Sequence, residues 1–214
     1  MKITISIVSL LFISMNMNAQ SATFSATGEY YLRGVMETAS GFKLDKDSSF
    51  QFFFSYGALD RYGSGTWTTH NNTILLNSTQ KHDADFALIK SEKRDDNGIT
   101  VKIVDSNGNM LRYVYCFIQS GNKKQQGVAN SDGNIFFTAQ DVDSITLLFE
   151  FSPERETKIV MPVKDHNYFE FRFEPWIMEV FFKNFSLQLN ETELSGAHPI
   201  LEGSNYHYEK AGNH

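Results

Sequence analysis

Cysteine is almost missing from this 214-residue chain, and its single example, Cys116, excludes any disulfide within it. Cys116 lies inside the apolar run Val114-Tyr-Cys-Phe-Ile118, where a thiol reads as a small packed hydrophobe rather than a nucleophile. Proline is scarce, confined to positions 153, 162, 175 and 199. Past the first 20 residues no apolar run is long enough for a transmembrane helix, and no long segment combines helical spacing with a cap. Excess positive charge is missing too. With 19 Lys and Arg against 25 Asp and Glu, the net charge of −6 and the want of a basic stripe argue against nucleic acid and anionic lipid as partners.

The N-terminus has the layout of a secretory leader. Lys2 supplies a positive charge, Ile3 to Ser14 an apolar core too short to span a bilayer, and Ala19 a small residue before a cut. A signal peptide over residues 1–19 is therefore expected, with a secreted or periplasmic location and no stable membrane insertion after its removal. About 195 residues remain, enough for one large or two small domains.

Aromatics are plentiful at 14% of the chain, and glycine and asparagine punctuate short aromatic and β-branched runs. That pattern predicts an all-β protein. Residues 20–78 read as an N-terminal meander or half barrel of five strands, near Tyr30–Val35, Phe42–Leu44, Phe50–Tyr56, Tyr62–Thr68 and Thr73–Leu76. Such a meander needs its edges covered. Alternation puts Phe50, Phe52, Phe54 and Tyr56 on one face of the third strand and Phe53 on the other. Burying one such ring stabilises by about 1.5–3 kcal/mol, so the four together would rival a domain's net stability of about 5–15 kcal/mol. That face has to be core. Gly65-Thr-Trp67 resembles a strand of a lipocalin-like or calycin-like half barrel.

Residues 79–190 open with a hairpin around Asp95-Asp-Asn-Gly98 and continue through seven or eight strands, a count that suits a β-sandwich. Phe169, Phe171 and Phe173 alternate with Tyr168, Glu170 and Arg172, and Phe185, Leu187 and Leu189 alternate in the same way. Residues 191–214, turn-rich and aromatic, are expected to form a C-terminal arm packed on the sandwich.

"VDSNGNML" (Val104 to Leu111), "YVYCFI" and "GVANSDGNIFF" (Gly127 to Phe137) resemble the opening of a carboxypeptidase regulatory-like domain, a transthyretin-like or prealbumin-like sandwich. Asn130-Ser-Asp-Gly-Asn-Ile-Phe136 matches that family's turn, with Asn130 at the usual threonine and an inward Phe expected after it. The resemblance implies a structural or binding module. Enzymatic relatives carry signatures not found here: the chain has no zinc-carboxypeptidase His-x-x-Glu, and Tyr208-Glu-Lys-Ala-Gly stands where transthyretin-related hydrolases end in Tyr-Arg-Gly-Ser.

Motifs for chemistry are few. The histidines at 70, 82, 166, 198, 207 and 214 lack the spacing of a metal site, and neither a nucleophile elbow nor a phosphate-binding glycine loop is present. No catalytic residue, metal or cofactor is expected. Ser55 to Trp67, "SYGALDRYGSGTW", is the richest stretch. Asp60, Arg61, Tyr62 and Trp67, joined by Arg33 and Glu37, could rim a ligand patch, since arginine and aromatic rings grip sugars and carboxylates. A glycine-relieved hairpin with Trp67 packed inward explains the same residues. Trp176-Ile-Met178 is a second place for an exposed patch, against which stands core or inter-domain packing.

The expected function is a non-enzymatic binding or structural protein of the bacterial envelope that recognises a protein or glycan. Two rivals stand beside it. One is a carbohydrate- or amide-active hydrolase using Asp60 or Glu37 with Arg61 or His70. The other is a carrier of a small hydrophobic ligand, provided the meander closes around a cavity.

Overall fold

Alternation of apolar and polar residues turns most of the chain into strand, and strand-to-strand register sorts those strands into one barrel and two sheets. The computed structural model describes residues 25–80 and 82–212, so the expected leader lies outside the described residues.

The first five strands form the expected meander: β1 (Gly28–Leu32), β2 (Thr38–Leu44), β3 (Ser49–Tyr56), β4 (Leu59–His70) and β5 (Thr73–Asn77), each antiparallel to the next. Its edges do not stay open. β14 (Phe185–Leu189) pairs with β5, β15 (Glu193–Gly196) with β14, and β16 (Tyr206–Lys210) with both β15 and β1. The result is a closed barrel of eight antiparallel strands. This corrects the boundaries expected from sequence: Phe185–Leu189 belongs to the barrel and not to the sandwich, and the residues read as an arm supply its last two strands. The physical reason is the unpaired edges of β1 and β5, whose backbone groups the C-terminal strands satisfy.

Phe50, Phe52 and Phe54 are buried inside the barrel, whereas Tyr56, at the end of β3, is 52% exposed and leaves the expected row. The interior is filled by rings. Phe42 lies 5.1 Å from Phe52 and 5.0 Å from Tyr208, centroid to centroid, and Phe182 lies 5.0 Å from Phe50. Phe182 comes from the segment Met178–Phe182, which runs along the first half of β4, with Val180 N–H donating to the Tyr62 carbonyl at 2.7 Å. Gly63 makes room for it, because a Cβ there would stand 2.6 Å from the Phe182 ring. Gly63 thus admits a large ring, as expected, but from a distant part of the chain, whereas Gly65 makes room for the Asn77 and Ser78 backbone.

Between β5 and β14 the chain builds the sandwich. One sheet has the order β10 (Asn134–Thr138), β7 (Gly98–Val104), β13 (Tyr168–Phe173), β6 (Phe86–Glu92). The other has the order β12 (Glu156–Val160), β11 (Ser144–Phe149), β8 (Val114–Ser120), β9 (Lys123–Val128). β13 runs parallel to β7; the remaining pairs are antiparallel. Val101, Cys116, Ile145, Phe149, Phe169 and Phe171 form the dry layer between the sheets. Burial pushes the Cys116 thiol well above its ordinary pKa, so it packs rather than reacts.

Asn130 organises the family-like turn. Its side-chain oxygen accepts from the backbone N–H groups of Asp132 (3.0 Å) and Asn134 (2.9 Å), and Gly133 takes φ 79° with the Ile103 carbonyl where a Cβ would be. The Phe expected to point inward does not: Phe136 is 69% exposed, while Ile135 and Phe137 face the core. Strand alternation forces this, since only one parity of β10 can face β8 and β9.

Candidate functional site

Arg61, Gly63, Gly65 and Trp67 share one parity on β4, and Asp60 and Tyr62 share the other. The structure therefore divides the proposed patch. Arg61 is buried: Nη1 and Nη2 donate to the two Glu154 oxygens at 3.2 and 2.5 Å, and Nη2 also reaches the Glu179 carbonyl at 3.2 Å. Burial pushes the Glu154 carboxyl up, but the Arg61 guanidinium outweighs it and holds the pKa below the usual value. Arg61 is a junction residue between barrel and sandwich, not a ligand rim.

Trp67 packs against the barrel core and its Nε1 donates to the Asp45 carbonyl at 3.1 Å, fixing the β2–β3 turn. Arg33 donates from Nε to Glu209 at 2.8 Å and from its backbone N–H to the His207 carbonyl, tying β1 to β16. Glu37 sits in the β1–β2 turn at φ 57°, exposed. Asp60 is exposed on β4, opposite Ser55. His70 ends the same strand, roughly 30 Å from Asp60 at ordinary strand rise, so the residues of the hydrolase reading are not assembled around one centre.

Tyr62 is where the sequence expectation and the geometry meet. Strand register puts Tyr31, Gly41, Phe53 and Tyr62 in one row across β1, β2, β3 and β4, on the outer face of the barrel. Tyr31, Phe53 and Tyr62 are 38%, 40% and 49% exposed. Phe53 leans over Gly41, where a Cβ would come within 2.9 Å of its ring, and meets Tyr31 edge to face at 6.2 Å. Sequence reasoning placed Phe53 on the opposite face from the core rings but gave no sign of Tyr31. The missing signal was the register, which brings residues 22 positions apart (Tyr31 and Phe53) into one row.

A buried Ser–His pair offers a different chemistry and fails it on protonation. His198 Nδ1 accepts from the backbone N–H groups of Ile200 and Leu201, each at 3.0 Å. The ring proton is therefore on Nε2, which donates to Ser40 Oγ at 3.0 Å, and Ser40 Oγ in turn donates to the Phe53 carbonyl at 2.8 Å. A histidine that donates to serine cannot take its proton, so the pair is a structural clip across the barrel. Burial lowers the His198 pKa from 6.5 to about 4. The unfolded chain then binds the proton more readily. Its contribution to stability is complete above pH 6.5 and is lost as the pH falls towards 4, by roughly 3 kcal/mol at most. Thermal melts should show this loss between pH 6.5 and 4 in the wild type and a flatter profile in His198→Gln. Parallel profiles would refute the assignment.

At the junction, Trp176 stacks on His82 with centroids 3.6 Å apart and donates from Nε1 to the Ala84 carbonyl at 2.9 Å. The second suspected surface patch is thus packed: Trp176 lies on the linker that enters β6, and Ile177 and Met178 on the sandwich core.

No family model matches the chain, and no curated protein matches it. A solved structure of the Helicobacter pylori beta clamp bound to a DNA ligase peptide is matched at 8% identity, over 89% of this chain and 60% of that one. Its TM-score of 0.14 carries no argument about fold or function.

Proposed function

We propose that this protein is a secreted or periplasmic, non-enzymatic binding protein of the bacterial envelope, with the outer barrel face over β1 to β4 as its recognition surface. The observation that carries this is the row Tyr31, Phe53, Tyr62: three large rings left partly in water although the fold has covered cores close by. Contiguous exposed rings of this kind are typical of surfaces that bind. The leader-like residues 1–19 support export. The inserted sandwich is proposed as a carboxypeptidase regulatory-like, or transthyretin-like, module. Its Asn130 turn supports that assignment, and outward Phe136 departs from it. The ring-filled barrel interior gives the hydrophobic-carrier reading no support.

The test is a pull-down from envelope extract together with isothermal titration against envelope glycans, using the wild type and Phe53→Ala/Tyr62→Ala. Retention by the wild type and its loss in the double variant is the expected outcome. Equal retention by both, or turnover of a substrate, would overturn the proposal.

A further inference from the structure

Beside the aromatic row runs a polar one. Glu29, Lys43, Gln51 and Ser64 are in register across the same four strands, two residues along each from Tyr31, Gly41, Phe53 and Tyr62. Between the two rows lies a groove of about 330 Å³, with Tyr31, Phe53 and Tyr62 on one side and Glu29, Lys43 and Gln51 on the other. It crosses the strands rather than following them. Three inter-strand gaps give it a length of about 14 Å.

The charges in this groove are already engaged within the protein. Glu29 accepts from the Tyr31 hydroxyl at 2.7 Å, and Lys43 pairs with Asp45 at 3.3 Å. One carboxylate and one ammonium also cancel formally. A ligand that suits the groove therefore needs an apolar face for the rings, hydroxyls or amides for the polar row, and no net charge. Sugars have that division, with C–H groups on their ring faces and hydroxyls at their edges. Strand addition by a protein partner is disfavoured, because each barrel strand is already paired on both sides and leaves no edge to extend.

Resting on the barrel-face reading above, we propose that the groove binds an uncharged glycan chain laid across β1 to β4, with room for about three pyranose rings. Phe53 and Tyr62 are the stacking platform, and Lys43 and Gln51 contact the hydroxyls. The sandwich carries a contrasting groove of about 480 Å³ lined by Phe117, Lys124, Lys158 and Glu156, in which neither lysine forms an ion pair among the described residues. It serves as the internal control, because an acidic polymer would go there.

The experiment is isothermal titration of the full chain with malto-, cello-, xylo- and chito-oligosaccharides of increasing length, and with oligogalacturonate. At least one neutral series should bind, with affinity rising up to the trisaccharide and then levelling. Phe53→Ala and Tyr62→Ala should each weaken it about tenfold, Tyr62→Phe should retain it, and Phe117→Ala should leave it unchanged. Matching melting temperatures would confirm that the variants fold. Failure of every neutral series, oligogalacturonate binding that Phe53→Ala or Tyr62→Ala abolishes, or loss of neutral-glycan binding through Phe117→Ala would overturn the assignment. If no sugar binds but an envelope protein is retained by the wild type and lost by Phe53→Ala/Tyr62→Ala, the barrel-face reading survives and the neutral-glycan assignment falls. If the variants change nothing, both fall.

Discussion

Phe182→Ala is expected to destabilise the protein by about 3–5 kcal/mol, lowering the melting temperature by about 6–20 °C. The ring is 5% exposed and packs within 5.0–6.2 Å of Phe42, Phe50, Phe52 and Phe185, centroid to centroid. Those partners come from β2, β3 and the start of β14, so the substitution removes contacts on opposite sides of the barrel at once. Removing the ring leaves a cavity bounded by β-strands whose hydrogen bonds resist collapse. Gly63→Ala attacks the same contact from the other side, since its Cβ would stand 2.6 Å from the ring and 2.7 Å from the Val180 carbonyl. Overpacking of that kind costs about 1–3 kcal/mol. Gly108→Ala is the comparison: a Cβ there meets nothing within 4 Å. Thermal and urea denaturation would check all three. A melting temperature for Phe182→Ala close to that of the wild type would show that the segment Met178–Phe182 does not lock the barrel.

Arg155→Ala is the second large effect, expected at about 3–5 kcal/mol. Arg155 Nε donates to Asp85 Oδ2 at 2.7 Å, and Asp85 is almost fully buried. The same guanidinium donates to the carbonyls of Ile177 (2.9 Å), Trp176 (3.4 Å) and Glu179, and lies 4.9 Å from the Phe181 ring. Truncation would leave a buried carboxylate without its cation and several carbonyls without donors, which is why the cost exceeds that of a surface ion pair. Arg155→Met/Asp85→Asn should recover part of the loss, because it removes the charge and keeps the volume. A denaturation midpoint unchanged in Arg155→Ala would refute this account of the junction. Arg61→Ala should cost less: the Glu154 side chain is 48% exposed and can be rehydrated when its partner is lost.

Much of the secondary structure was legible because alternation is local. Phe50, Phe52 and Phe54 announced a buried face, Cys116 a packed thiol, and Asn130-Ser-Asp-Gly133 a tight reversal, and each is where its spacing put it. Arg61 was misplaced for a definable reason. The fourth strand was expected to begin at Tyr62, whereas β4 begins at Leu59 and turns Arg61 inward, and no local spacing names what it meets there: Glu154 and the 178–179 carbonyls, more than 90 residues away. Phe185, Leu187 and Leu189 show the same limit. Their alternation gave the strand and its apolar side, and left its neighbour undetermined. Of the candidate site, Tyr62 and outward-facing Phe53 could be picked out in the sequence; the row that joins them to Tyr31 could not.

The sequence by itself determined that the chain is all-β and, where alternation is strict as at Phe50–Phe54 and Phe169–Phe173, which side of the strand avoids water, since these depend on a period of two. Only the tertiary structure decided that the last three strands close the barrel begun by the first five, with the sandwich inserted between them. It alone set the register that lines up rings and polar groups across four strands. Pairing minimises unpaired edges and buried charge over the whole molecule, and Asn184 bonding to Asn77 across 107 residues is a contact that no local spacing records.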